Sequence, residues 1–111
     1  MGDLNYYTFH PTSWRVLGKD YKVYYSDKSH GDWASTDLAA REITIFDGAP
    51  VDILDSLVHE TVHIIVDELG LQDAFQPGGE ERLAQVLGVV LTATLAENGL
   101  LDPQKFSRKT S

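Results

Sequence analysis

The sequence predicts an α+β fold: a small twisted sheet of about three strands, antiparallel or mixed, packed on two helices. Three observations carry this. Residues 42–46, Glu-Ile-Thr-Ile-Phe, alternate polar and apolar as a strand with one buried face does. Residues 21–25 are aromatic and β-branched, which suits a pleated surface. Two later segments, 50 to about 69 and 80 to about 98, repeat apolar residues at helical spacing between helix start and stop signals.

Taken in order, residues 4–9 alternate aromatic and polar and read as a short strand or ordered arm, which His10-Pro11-Thr12-Ser13 interrupts. Residues 14–17 lead through a turn at Gly18-Lys19-Asp20 into residues 21–25, a hairpin pattern. Residues 26–32 are rich in turn formers, and Trp33 with the polar stretch to Asp37 extends them into an expected exposed loop. The strand at 42–46 ends at Asp47-Gly48. Pro50 suits a first helical turn and Gly70 a left-handed stop. Between them Leu54, Leu57, Val58, Thr61, Val62 and Ile65 make one broad stripe, widened by Ile64 and Val66, so this helix is expected to be central and buried. Residues 71–77 connect to the second helix, whose apolar side is expected to be Leu83, Val86, Leu87, Val90, Leu91 and Leu95. A mid-helix Gly88 costs about 1 kcal/mol relative to Ala, so its presence points to close packing against the first helix. Asn98-Gly99 ends the segment, and Phe106 is a lone anchor in a basic, polar tail.

A chain of 111 residues fits a single domain, with an N-terminal arm over about 1–12 and a flexible tail over about 103–111. Nine Lys and Arg against seventeen Asp and Glu give a net charge of −8, while the 42% hydrophobic content is that of a folded chain. Such a field repels phosphate, and no basic patch precedes the Lys105–Lys109 tail, so nucleic acid is excluded as a partner. The lack of Cys removes disulfides and thiolate metal sites, leaving imidazoles and carboxylates as strong ligands. No basic-then-apolar leader and no apolar run near the roughly 20 residues of a membrane span is present. The expectation is a cytoplasmic protein with no membrane segment, for which a monomer is compatible with the size.

The chemistry is concentrated in His59-Glu60-Thr61-Val62-His63. Residues four apart on a helix share a face, so two imidazoles can converge on one ion, while Glu60 is rotated aside and can act on a water without being a ligand. A catalytic zinc site usually takes three protein ligands. His10 and His30 lie far from the motif in sequence; Glu80 and Glu81, in the first turn of the next helix, are better placed to supply the third. Periodicity does not choose between these two carboxylates, which also suit a helix N-terminus electrostatically.

The motif, its run-on Ile64-Ile65-Val66-Asp67, and Glu81 opening a helix that carries Leu83-Ala84 and Val86-Leu87-Gly88, resemble the gluzincin class of zinc metallopeptidases. In size and layout the chain is similar to the minigluzincins and to small phage-encoded peptidases. That resemblance implies a zincin-like minimal domain in which zinc is held by His59, His63 and Glu81, with Glu80 in reserve and Glu60 as general base. It implies that Asp67 matches an Asp following the motif, and that Gln85 stands where relatives carry an Asp supporting a zinc ligand. That support would then be weaker or come from Asp67 or Asp55. It also implies that the strand at 42–46, through Ile43, Thr44 and Ile45, is an edge strand on which an extended peptide aligns. Tyr24, Tyr25 and His30 border a loop that could bring them to the cleft as oxyanion donors.

Two functional classes follow. The first is a zinc-dependent peptidase acting on a peptide or protein through a metal-activated water. The second is a non-catalytic module, either metal-stabilised or an acidic surface for a basic partner.

Overall fold

The computed structural model describes residues 11–27, 34–46 and 53–102. Strand β1 (Ser13–Val16) turns at Leu17-Gly18, both in the left-handed region at φ 51° and 80°, into β2 (Lys19–Ser26). Two such residues in succession give the tight turn whose twist matches antiparallel strands, and Val16 pairs with Lys19 across it. The expected hairpin is present, with its turn one residue earlier than the sequence suggested. Within β2 the alternation is strict at the core: Tyr21 and Val23 are buried, and Lys22 and Tyr24 are exposed.

Residues 34–37, expected to be loop, form strand β3 (Ala34–Asp37), so the sheet has four strands among the described residues. Polar composition concealed it, because β3 pairs on one side with β4 (Glu42–Phe46) and contributes only Ala34 and Thr36 to the half-buried face. Short and polar is how an edge strand avoids unwanted pairing. The β3–β4 turn is closed by the Asp37 carboxylate, which accepts the Ala40 N–H at 3.0 Å, with Arg41 left-handed at φ 56°.

The strand order is β1-β2-β4-β3, with β2 and β4 parallel and both outer pairs antiparallel. This corrects the expected role of residues 42–46. Strand β4 lies between β2 and β3, with Ile43 and Ile45 in the core, so Ile43, Thr44 and Ile45 cannot offer a free edge. Among the described residues β3 is the outer strand on that side.

Helix α1 (Ile53–Glu68) crosses one face of the sheet and packs Ile53, Leu57 and Ile64 against Val16, Tyr21, Val23, Ile43 and Ile45. Two polar ties fix it. The Trp14 indole donates to Thr61 Oγ1 at 2.9 Å, and Lys19 Nζ meets the Glu68 carboxylate at 2.7 Å at the otherwise uncompensated C-terminus. Gly70 at φ 64° stops the helix as expected, with Leu71 N–H returning to the Val66 carbonyl at 2.9 Å. Pro50 lies outside the described residues.

A short 3-10 turn (Gln72–Ala74) leads to helix α2 (Gly79–Glu97), which packs on the opposite side of α1. The contact differs from the expected Leu/Val stripe. The α2 residues buried against α1 are Ala84, next to Val62 and Val66, and Gly88, against the Asp55 carbonyl; of the expected stripe Leu87 packs there half-buried, whereas Leu83, Val86, Val90 and Leu91 are exposed. Small residues let the backbones approach: a Cβ on Gly88 would sit 2.7 Å from the Asp55 carbonyl oxygen. Helix propensity alone would make Gly88→Ala stabilising by about 1 kcal/mol. The clash is with backbone, which cannot swing aside, and overpacking of this kind costs about 1–3 kcal/mol. Gly88→Ala is therefore expected to lower the urea midpoint, and an unchanged or raised midpoint would refute the close approach. Among the described residues no helix is long and apolar enough to cross a membrane.

Candidate metal centre

The α1–α2 contact positions the chemistry. His59 and His63, one turn apart on α1, face α2 with ring centroids 5.1 Å apart. Because Ala84 and Gly88 draw α2 close, its first turn brings both glutamates to the imidazoles. Glu81 spans the pair, with Oε1 2.8 Å from His59 Nε2 and Oε2 3.0 Å from His63 Nε2. The donor atoms of His59, His63 and Glu81 all lie within 4.8 Å of one another, a group that could hold a metal ion. Two imidazoles and a carboxylate are the donor set of a three-ligand site with a remaining open position.

Glu80 does something different. Its Oε2 lies 2.5 Å from His63 Nδ1, the ring nitrogen turned away from Glu81. A carboxylate on Nδ1 fixes the ring's tautomer and orientation and leaves Nε2 as the donor facing the ligand group. Adjacent residues on a helix diverge by about 100°, so Glu80 and Glu81 reach different sides of the same imidazole. Asp67 is exposed and accepts Gln72 Nε2 at 3.4 Å, Gln85 is exposed, and Asp55 accepts the Thr92 hydroxyl, tying α1 to α2.

Glu60 is buried beside this group, its Oε2 3.7 Å from His59 Nε2. Its other oxygen accepts the Thr36 hydroxyl at 2.7 Å, a bond from β3 that the loop reading of residues 34–37 had hidden. Thr36 pairs with Ile43 in register, which puts both on the helix-facing side of the sheet. Burial pushes the Glu60 carboxyl above its ordinary pKa, with Glu81 adding to the rise, against the Thr36 hydrogen bond and the charges of His59 and His63.

His63 is drawn in two directions. Burial lowers its pKa, but the hydrogen bond to Glu80 and the charges of Glu60, Glu81 and Glu80 together outweigh burial and raise it. A raised imidazole pKa contributes stability that is present below the unfolded value near 6.5 and is lost as pH rises through the folded value. With chelator present, the stability difference between the wild type and His63→Gln is expected to be largest below about pH 6.5 and to shrink above it. A difference that grows with pH would contradict this sign.

The tyrosines are not gathered here. Tyr24 alternates with the core residues Val23 and Tyr25 and points to the face away from α1, and the Tyr25 hydroxyl donates to the Pro11 carbonyl at 2.7 Å. His30, like His10 and Trp33, lies outside the described residues.

The chain therefore carries a His59/His63/Glu81 group able to hold a metal ion, on two helices beside a small mixed sheet. No family model matches it, and no curated protein or solved structure is significantly similar to it.

Proposed function

We propose that the chain is a zinc-dependent peptidase of the gluzincin kind, acting on a peptide or protein. The observation that supports it most is the convergence of Glu81 on His59 and His63 with Glu60 buried alongside but outside the ligand set. A zinc ion held by His59, His63 and Glu81 supplies Lewis acidity, polarising a carbonyl and lowering the pKa of water toward about 7.

The residues divide the remaining work. Glu80 holds His63 through Nδ1. Thr36 holds Oε1 of Glu60, leaving Oε2 as the basic oxygen nearest the ligand group. Glu60 takes one proton from the attacking water as the water oxygen bonds to the peptide carbonyl carbon. It gives that proton to the departing nitrogen as the C–N bond breaks, leaving an amine and a carboxylic acid that keeps the water's other proton until it ionises to solvent. Burial of Glu60 keeps bulk water from the oxygen that takes the proton and holds it between the two transfers. An extended substrate is aligned by adding to the outer side of β3, the strand that carries Thr36, rather than to β4.

The experiment is cleavage of a denatured protein or peptide library by the purified chain, inhibited by chelator and restored by added zinc. Cleavage insensitive to chelator would overturn the reading. A second reading, a metal-stabilised module without catalysis, is favoured by one observation: His59 and His63 lie on α1 and Glu81 on α2, so an ion there would also staple the two helices together. Zinc-dependent melting without any cleavage would select it.

A further inference from the structure

Helix α2 has a second face that the metal centre does not use. Val86, Val89 and Val90 are 51%, 42% and 52% exposed, and with Leu83 and Ala93 they form a continuous apolar strip on the side opposite Ala84 and Gly88. Residues 82, 86, 89, 90, 93 and 97 recur at the spacing of one helix face. The strip is bounded by Arg82 at its start and Glu97 at its end, both exposed, and neither makes an ion pair among the described residues.

This arrangement is complementary to itself. In an antiparallel pair of α2 helices related by a two-fold axis between positions 89 and 90, Val89 meets Val90, Val86 meets Ala93, and Arg82 meets Glu97 at both ends. An isologous contact needs this property: one patch that fits its own copy after a half-turn. A parallel pairing would instead set Arg82 against Arg82 and Glu97 against Glu97, which is unfavourable. We propose that the outer face of α2 docks a second copy of the chain, antiparallel, with Arg82–Glu97 pairs closing both ends of a valine-rich seam.

The strip is narrow. Nineteen helical residues span roughly 28 Å and offer a seam on the order of 300 Å² per copy. A standard stable interface buries roughly 800 Å² per partner. The dimer is therefore a weak, transient one. Glu80, Glu81, Ala84 and Gly88 lie on the other side of the helix, so self-association leaves the metal centre accessible.

Sedimentation velocity of the full chain across about 1 to 200 µM tests the proposal. The expected result is a concentration-dependent passage from monomer to dimer. Val86→Lys is expected to weaken it by at least about tenfold, since it places a charge in the seam. It should leave folding intact, because the site is exposed and Lys is a better helix former than Val. Arg82→Glu alone and Glu97→Arg alone should each weaken the dimer, and the double reversal should restore it. A monomer at every concentration overturns the proposal, whether solvent or another segment of the chain covers the strip. So does a dimer indifferent to Val86→Lys, or one that the double reversal fails to restore.

Discussion

Glu60→Gln is expected to keep its zinc and lose peptide cleavage by about 10²- to 10⁴-fold, the contribution of a positioned general base. Gln fills the same volume, accepts the Thr36 hydroxyl through its amide oxygen, and leaves His59, His63 and Glu81 untouched. What it cannot do is take a proton. The loss should fall on kcat with little change in KM, because Glu60 acts in the chemical step rather than in holding substrate. Thr36→Val should sit between the two proteins: Glu60 keeps its carboxylate but loses the donor that fixes Oε1. If Glu60→Gln cleaves as well as the wild type, Glu60 is not the base and the mechanism fails. If it loses both zinc and cleavage, the loss says nothing of proton transfer, so metal content must be read on the same preparation.

Removal of Glu81 is the second large effect. Glu81→Ala should cut zinc affinity by more than about 100-fold, whereas Glu80→Ala, acting only through the His63 ring, should cost about 10- to 100-fold. Both changes are on an exposed or half-exposed first turn, so neither should unfold the helix. The readout is melting. An ion at about 100 times its dissociation constant stabilises the folded state by about 2.7 kcal/mol, which corresponds to a rise in Tm of about 10 °C for a chain of this size. That rise should be present in the wild type, reduced in Glu80→Ala and absent in Glu81→Ala. Equal effects of the two substitutions would mean that the carboxylates are interchangeable and the assignment of separate roles is wrong.

Helical periodicity did not choose between Glu81 and Glu80, which occupy one turn; only the resemblance pointed to Glu81, and the contact of Glu80 with the far side of the His63 ring was not legible. It depends on how α2 rotates about its axis. That rotation is set by Ala84 and Gly88, whose small size admits the Asp55 backbone, rather than by the larger apolar residues that dominate the sequence pattern. Reading Leu83, Val86, Val90 and Leu91 as the packing side followed the usual link between apolarity and burial. The error is informative, because Leu83, Val86 and Val90 belong to the exposed strip proposed to dock a second copy.

The pairing of His59 with His63 was legible, since it needs only one helical turn, and so was the place of Glu60 beside the His59/His63/Glu81 group rather than within it. Strand β4 was legible because Ile43 and Ile45 alternate with polar neighbours. Strand β3 was not: a four-residue outer strand reading Ala-Ser-Thr-Asp carries no hydrophobic signal, and its place follows only from pairing with β4. With β3 went the hydroxyl that holds Glu60 and the identity of the outer strand, long-range facts that no local window contains. The support expected from Asp55, Asp67 or Gln85 rested on resemblance; in the fold Asp55 accepts the Thr92 hydroxyl from α2, Asp67 pairs with Gln72 in a local turn, and Gln85 is exposed.

Everything chemical in this account rests on one ion being held between α1 and α2. The direct measurement is metal content by inductively coupled plasma mass spectrometry, after equilibration with buffered zinc and removal of free metal, on the wild type and on His63→Ala. About one zinc per wild-type chain and nearly none in His63→Ala is the predicted result. A wild-type chain that retains no zinc, or a variant that retains as much, would contradict it.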